Sequence, residues 1–278
     1  MQLKYSLKLC LLLCFMLCFL AACDLVPGIS VGSTATAPST SSTPDGSGTP
    51  QLNAWSKLAT GVEIRYEHWK SQANNEDTVT IVRFDVRHIH LSVEYQPAEP
   101  LSMSEWKQKE PGAALIINGG YFDQGDNATG LVVSNGQASG TSYSGFGGML
   151  SVDNQGHISL RSLIQHPYDP NEQLQQATQS SPMLVLAGKP TQFNANAASS
   201  RRSVVATDKQ GHLLFIVSPE MAFSLGELQD LLVGSDLAID TALNLDGGAS
   251  TGLYVKMGKQ DKTIDSFTNL PIVVVVRP

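Results

Sequence analysis

The hydrophobic pattern along most of the chain has the two-residue period of β-strands. Successive strand side chains point to opposite faces, so alternating apolar and polar residues predict a strand with one buried face. Short continuous apolar runs predict strands that are buried on both faces. Strands are predicted at residues 62–66, 79–84, 89–93, 113–117, 131–133, 148–152, 157–160, 183–186, 203–207, 213–217, 242–245, 253–255 and 272–276. Gly- and Asn-containing turns separate several of them, as in a domain made mostly of sheet.

Two segments carry helix start signals instead. Ser102 and Ser224 each precede a glutamate by three residues, the spacing of a capping box. Each predicted helix leads to a strand that ends in a glycine pair, at 119–120 or at 247–248. We therefore expect both glycine turns at comparable strand ends facing one cleft, which a parallel strand pair would explain. The predicted fold class is α+β: a β-rich single domain with mixed sheets and a few capped helices.

The N-terminus has the pattern of an export signal. Residues 1–22 combine Lys4 and Lys8 with an apolar run that ends at Ala22, and Cys23 follows. This end resembles a bacterial lipobox, which predicts a lipoprotein signal peptide and lipidation at Cys23. An ordinary secretory signal or an uncleaved anchor is the alternative. The other three cysteines lie within the signal, so the exported protein is expected to have no disulfide.

Composition separates a tether from a domain. Residues 23–51 are rich in Ser, Thr, Pro and Gly, and such a segment buries too little apolar surface to fold. We expect a disordered tether there and a folded domain at 52–278, in a protein exported and anchored to the bacterial cell membrane by its lipid. The net charge falls from −7 to −9 once the signal is removed. This acidic balance does not suit sequence-independent DNA binding, so no nucleic-acid partner is expected.

The strongest chemical candidate is the segment 244–251, Asn-Leu-Asp-Gly-Gly-Ala-Ser-Thr. Asp246 follows an apolar strand and precedes two glycines, Gly247 and Gly248, which allow a tight turn and close approach of a ligand. A carboxylate held rigidly at a strand end is suited to catalysis. The alternative is a structural turn in which the aspartate caps its own backbone.

A second candidate segment begins at Asn118, at the end of another apolar run. Gly119 and Gly120 would let backbone N–H groups converge on an oxygen-rich ligand. Tyr121 and the following Phe122 would form a wall against a sugar face. The alternative is a turn with two core aromatics.

The pair Arg201-Arg202 precedes a predicted strand and could clamp an oxyanion, since arginine binds phosphate through two parallel hydrogen bonds. Adjacent strand residues point in opposite directions, so we expect only one of the two to enter a site. His88 and His90 have a spacing that would suit a metal, but no third ligand is near in sequence. We therefore predict neither a metal nor a cofactor.

Five segments, taken in order over residues 79–276, resemble the phosphodiester glycosidase family. They are 117–122 (Ile-Asn-Gly-Gly-Tyr-Phe), 130–136 (Gly-Leu-Val-Val-Ser-Asn-Gly), 181–189 (Ser-Pro-Met-Leu-Val and a Gly-Lys pair), 202–208 (Arg-Ser-Val-Val-Ala-Thr-Asp) and 244–251. Ala249 replaces the third glycine that is usual in the last segment. The resemblance implies hydrolysis of a sugar joined through C1 to a phosphate. It also implies that the site is lined by Asn118, Gly119, Gly120, Arg202, Asp246, Gly247, Gly248 and Ser250.

Elementary chemistry suggests roles for these residues. Asp246 would face C1 as nucleophile or as base for water, and Arg202 would stabilise the departing phosphate. Asn118 and Ser250 would orient sugar hydroxyls or phosphate oxygens. The second carboxylate of a conventional glycosidase would be Asp123 or Asp240.

Three functions remain open at this point. The first is C1–O hydrolysis of a sugar-phosphate or phosphorylated glycan at the cell envelope. The second is a non-catalytic module that binds phosphorylated envelope glycans. The third is a phosphodiesterase that cleaves P–O.

Overall fold

The structure is a computed structural model that describes residues 51–193, 198–258 and 261–278. The signal peptide, Cys23 and nearly all of the predicted tether lie outside these ranges. The described residues belong to one compact unit. They form three antiparallel sheets and two α-helices, so the prediction of a β-rich α+β domain with a few capped helices is confirmed.

The first sheet has eight strands in the order β1-β2-β3-β14-β13-β15-β11-β12. Its strands are β1 (Ser56–Ala59), β2 (Val62–Lys70), β3 (Glu76–Phe84), β11 (Met183–Leu186), β12 (Lys189–Pro190), β13 (Ser200–Asp208), β14 (Leu213–Phe223) and β15 (Ile239–Asn244). Both faces of its centre are covered, because Leu213, Phe215 and Val217 face one apolar cluster and Leu214 and Ile216 face another. This burial explains why the sequence of β14 is apolar without alternation.

The second sheet has five strands in the order β17-β16-β5-β18-β4. They are β4 (His90–Tyr95), β5 (Leu115–Asn118), β16 (Leu253–Val255), β17 (Lys262–Ile264) and β18 (Ile272–Arg277). One face of this sheet packs on the eight-stranded sheet in the main core, and the other packs on helix α1 (Met103–Lys109). The second helix, α2 (Leu225–Gly234), packs on the far face of the eight-stranded sheet.

The third sheet has five strands in the order β7-β6-β10-β8-β9. They are β6 (Val132–Ser134), β7 (Gln137–Ser139), β8 (Gly148–Asp153), β9 (Ile158–Ser162) and β10 (Leu174–Ser180). The central strand β10 has no apolar pattern and was not predicted. Its buried amides instead bind backbone groups of other segments: Gln176 Oε1 accepts from the Val93 N–H of β4 at 2.9 Å, and Gln179 Oε1 accepts from the Tyr143 N–H of a loop at 2.8 Å.

Both helices begin as predicted. In each, the serine hydroxyl accepts from the glutamate N–H and the glutamate side chain accepts from the serine N–H, so both capping boxes are confirmed. With seven and ten residues, neither helix of the described ranges is long and apolar enough to span a bilayer. The strand pairing differs from the prediction on one point, because every pair of named strands is antiparallel.

Candidate active site

The two glycine turns meet, although their strands lie in different sheets. β5 ends at Asn118 in the second sheet, and β15 ends at Asn244 in the eight-stranded sheet. Directly beyond these ends, the Asp246 N–H donates to the Gly119 carbonyl at 3.0 Å. The expectation that the turns share one place is therefore confirmed. The parallel strand pair that would have explained it is wrong, because the contact joins two sheets rather than two strands of one sheet.

Asp246 is a mostly buried carboxylate with few hydrogen bonds. Its Oδ1 accepts from the Gly247 N–H at 2.9 Å, and the nearby Ser250 hydroxyl also lowers its pKa. These two groups favour the ionised form, but burial outweighs them and raises the pKa of Asp246 to about 6. No positive charge among the described residues offsets this burial. A carboxylate shifted in this way is a candidate for catalysis.

Asn118 holds the aspartate rather than facing a ligand. Its Nδ2 donates to the Asp246 carbonyl at 2.6 Å, and its Oδ1 accepts from the Ser203 hydroxyl at 2.7 Å and the Gly252 N–H at 3.2 Å. The side chain is 1% exposed. The prediction that Asn118 orients substrate oxygens is therefore wrong, because its donor and acceptor groups already bind the protein.

Gly119 and Gly120 also act through packing. The Gly119 N–H donates to the Ile272 carbonyl at 2.9 Å, and the Gly120 N–H donates to the Thr178 hydroxyl at 3.2 Å. Neither N–H is available to a ligand, so the predicted anion-binding role of this pair is wrong. The glycines are needed because a Cβ at 119 would lie 2.5 Å from Ile272 Cγ2, and one at 120 would lie 2.0 Å from the Gln179 carbonyl oxygen.

The second glycine pair leaves room beside an arginine. A Cβ at Gly247 would lie 2.9 Å from the Arg201 carbonyl oxygen and 3.8 Å from Arg202 Nη1. Gly248 has a φ of +61°, in the left-handed region that favours glycine. This turn therefore keeps side-chain atoms away from the space that Asp246 shares with Arg202. Ser250, predicted to orient substrate, is 6% exposed and supports the carboxylate.

The two arginines separate as strand alternation predicts. Arg201 is 5% exposed, and it donates to the carbonyls of Pro219 at 2.8 Å and Asp265 at 2.9 Å. Arg202 is half-buried in the site, where Nε donates to the Phe223 carbonyl at 3.0 Å and Nη2 to the Ala198 carbonyl at 2.9 Å. These two bonds fix the guanidinium. They do not use Nη1, which is the guanidinium nitrogen nearest to Gly247. Burial lowers the pKa of Arg202 from its usual high value.

Tyr121 lies within reach of both charged groups. Its hydroxyl donates to the Ser181 carbonyl at 2.9 Å and accepts from Asn244 Nδ2 at 2.8 Å. Burial and the negative charge of Asp246 raise the pKa of Tyr121, while the positive charge of Arg202 lowers it. The charges of Asp246 and Arg202 therefore both reach the Tyr121 hydroxyl and shift its pKa in opposite directions.

Tyr143 is a site residue that the sequence analysis missed. Its hydroxyl is 2.8 Å from the Thr129 hydroxyl, and Thr129 Oγ1 donates to the Tyr121 carbonyl at 3.2 Å. Burial raises the pKa of Tyr143, and the charge of Asp246 adds to that rise. The only sequence signal is its place in a run with four glycines between 140 and 148. Phe122, expected beside Tyr121 in a wall, instead packs against the main core.

The other candidates lie away from Asp246. Asp123 caps its own loop, accepting from the N–H groups of Gly125 and Asn127, and this lowers its pKa. Asp240 accepts from the hydroxyl of its neighbour Thr241. Both carboxylates bind groups within four residues in sequence, and neither is bonded to a residue of the candidate site.

The histidine pair expected on one strand is divided. His88 ends a 3₁₀ turn, whereas His90 begins β4, and both side chains are exposed. Within residues 51–193, 198–258 and 261–278, no three His, Cys, Asp or Glu side chains are arranged to hold a metal ion.

Comparison with known proteins supplies a family and a fold. A family model described as phosphodiester glycosidase matches residues 111–276, more than half of the chain. A search of curated proteins found no significant match.

Three solved structures share the fold. The zebrafish N-acetylglucosamine-1-phosphodiester alpha-N-acetylglucosaminidase catalytic domain, auto-inhibited by its pro-peptide, matches with a TM-score of 0.61 at 16% identity, over 82% of this chain and 87% of that one. A protein from Synechocystis matches with a TM-score of 0.54 at 16% identity, over 82% of this chain and 64% of that one. A protein from Burkholderia pseudomallei matches with a TM-score of 0.51 at 11% identity, over 74% and 75%. At these identities the likeness establishes the fold alone.

Proposed function

Since this chain belongs to the phosphodiester glycosidase family, we propose that it hydrolyses the bond between C1 of a sugar and the oxygen of a phosphodiester. The observation that carries this proposal is the closeness of Asp246 and Arg202 at Gly247: Asp246 directly precedes this glycine, and Arg202 Nη1 lies 3.8 Å from the position of a Cβ built on it. A carboxylate and a guanidinium are what the two ends of this bond require. The sugar carbon gains positive character as the bond breaks, and the phosphate oxygen gains negative charge.

Asp246 acts at the sugar carbon. Its carboxylate attacks C1 or takes a proton from the attacking water, and either role requires the ionised form. Asn118 holds the Asp246 carbonyl and Gly119 accepts from its N–H, so the backbone is fixed on both sides of the carboxylate. Such positioning is worth several kcal/mol to a reaction, because the reacting atoms are brought together before the barrier is crossed.

Arg202 acts at the leaving group. A departing phosphate monoester has a last pKa of about 6, so it leaves as an anion without a strong acid. A fixed guanidinium stabilises this growing charge without having to reorient. The carbonyls of Phe223 and Ala198 provide that fixation. This division of roles explains how one carboxylate can suffice where conventional glycosidases use two.

Isotope-labelled water tests the proposal against its two rivals. We would incubate the protein in H₂¹⁸O with glycosyl 1-phosphodiesters, beginning with those of N-acetylglucosamine, which the name of the zebrafish protein specifies. Label in the released sugar supports C1–O cleavage. Label in the phosphate would indicate P–O cleavage, and binding without either product would indicate a glycan-binding module.

The second part of the proposal concerns where in the cell the protein works. The lipobox-like end of the signal, with Cys23 after Ala22, supports an exported lipoprotein whose tether of residues 23–51 holds the domain near the membrane. A Cys23→Ala change should then abolish incorporation of labelled fatty acid. Equal labelling of both forms would contradict the lipid site.

A further inference from the structure

Two aromatic side chains adjoin the site on the side of Asp246. The rings of Tyr143 and Phe146 are stacked, with centroids 4.6 Å apart and planes 28° apart. Phe146 is 48% exposed, whereas Tyr143 is half-buried. An apolar ring held open to solvent beside a buried carboxylate is a surface that a ligand with an apolar face can cover.

The loop that carries the stack is fixed on both sides of Phe146. The Tyr143 N–H donates to Gln179 Oε1 at 2.8 Å, and the Leu163 N–H donates to the Gly147 carbonyl at 3.0 Å. Gly145 and Gly147, on either side of Phe146, have φ values of +75° and +77°. These glycines allow the sharp turn that presents the phenyl ring outward, so its exposure is built into the backbone.

Hydrogen bonds link the stack to the site. The Tyr143 hydroxyl lies 2.8 Å from the Thr129 hydroxyl, which donates to the Tyr121 carbonyl at 3.2 Å. The Tyr121 hydroxyl accepts from Asn244 Nδ2 at 2.8 Å, two residues before Asp246. The charge of Asp246 also raises the pKa of Tyr143, so the stack adjoins the site on the side of the carboxylate.

We propose that Tyr143 and Phe146 form a platform on which the sugar ring stacks, so that a pyranose lies over Phe146 with its phosphate toward Arg202. This inference rests on the proposed function and adds the orientation of the substrate. The C–H face of a pyranose is apolar, and covering a phenyl ring with it removes apolar surface from water. The platform recognises the sugar. The group beyond the phosphate extends past Arg202 and does not contact the platform.

Kinetics with two leaving groups test this orientation. We would measure the methyl and benzyl phosphodiesters of N-acetylglucosamine 1-phosphate with Phe146→Leu, which keeps an apolar side chain but removes the flat ring. We expect KM to rise about tenfold for both esters, with little change in kcat. Phe146→Tyr, which keeps the ring, should retain the wild-type KM. Ile164→Ala is the control, because Ile164 is 64% exposed and follows Leu163, which contacts the same loop.

Two results would overturn the platform. One is a Phe146→Leu protein with an unchanged KM. The other is a loss seen with the benzyl ester alone, since that would place Phe146 on the leaving-group side.

A binding measurement separates this inference from the proposed function. The affinity for N-acetylglucosamine itself, followed by NMR titration, should fall by a similar factor in Phe146→Leu. If the wild-type protein hydrolyses neither ester, the proposed function fails for these esters. The platform then stands if Phe146→Leu weakens sugar binding, and it fails if the two titrations agree.

Discussion

Two regions of this molecule contain carboxylates that are partly or fully buried, and the two regions treat the negative charge differently. A cavity of about 540 Å³ lies between β2 and α2, lined by Arg65, Glu67 and Glu227 among others. Glu67 there accepts from Trp69 Nε1 at 2.6 Å and forms an ion pair with Arg65. Around Asp246, burial outweighs the hydrogen bond from the Gly247 N–H, and the pKa of Asp246 rises to about 6.

The contrast shows that volume alone does not identify an active site. Hydrogen bonds, led by that from the Ser71 hydroxyl, lower the pKa of Glu227 in the cavity to about 2. Such a carboxylate is stable as an ion and serves to cap a helix and hold a strand. The surroundings of Asp246 instead disfavour its ionised form, as is common for reactive groups.

The largest expected effect comes from Asp246→Asn. We expect kcat/KM to fall about a thousandfold, because the amide can neither attack C1 nor accept a proton. Initial rates with an N-acetylglucosamine 1-phosphodiester would measure this. A variant with near wild-type turnover would remove Asp246 from the mechanism.

The same variant should be more stable than the wild type at high pH. Because the folded-state pKa of Asp246 lies above the usual aspartate value of 3.8, the folded protein holds this proton more tightly than the unfolded chain. Ionisation therefore opposes folding above pH 6, by up to about 3 kcal/mol, and this cost vanishes as the pH falls through 6 toward 4. Urea unfolding at pH 8 and pH 4 should show a gain for the variant at the higher pH only.

The next largest effect is expected in the cavity, and it is a loss of stability rather than of turnover. Glu67→Gln removes the charge paired with Arg65, which is 9% exposed and keeps only Asp236 at 3.0 Å as an ion-pair partner. We expect the free energy of unfolding to fall by about 2 to 3 kcal/mol, because a buried charge loses its closest partner. Turnover at a temperature where the protein is folded should be unchanged. A loss of turnover without a loss of stability would make the cavity functional.

A smaller effect is expected from Arg202→Lys. The ammonium group keeps the positive charge but cannot reach the carbonyls of Phe223 and Ala198 while also facing the phosphate. We expect kcat/KM to fall on the order of 30-fold. Arg201→Lys is the matched control by sequence, although its buried bonds predict a loss of stability rather than of rate. Equal losses of rate in the two variants would contradict the separation of the arginines.

The last expected effect, about tenfold at one pH unit below 6, follows from the pKa of Asp246. If ionised Asp246 is required, kcat/KM should fall about tenfold per pH unit below 6 and be level above it. A profile measured between pH 4 and 8 on an ester that stays anionic throughout would show this limb. A flat profile across pH 6 would contradict the requirement for an ionised Asp246.

Much of the fold could be predicted from the sequence, because local signals and tertiary packing agree. Both capping boxes form, and the run 272–276 is buried on both faces as β18. Strand β10 could not be predicted, since Gln176 and Gln179 are polar, and the N–H groups that satisfy them come from β4 and from the loop at Tyr143, which are distant in sequence.

The location of the site could be predicted better than the role of each residue in it. Asp246 and Arg202 are suited to a site by residue type and strand position. The saturation of Asn118 depends on Ser203 and Gly252, which are distant in sequence. The close packing of Gly120 likewise depends on Gln179. Such neighbours are fixed only by the assembled sheets, so their effect is not visible in a local motif.

The amide of Asn118 has a mechanical consequence. One side chain from the second sheet binds both the backbone carbonyl of Asp246, just beyond β15, and the hydroxyl of Ser203, within β13 of the eight-stranded sheet. The two sheets therefore cannot slide past each other without breaking these bonds or displacing Asp246. The position of the candidate catalytic carboxylate therefore depends on how the second sheet packs against the eight-stranded sheet.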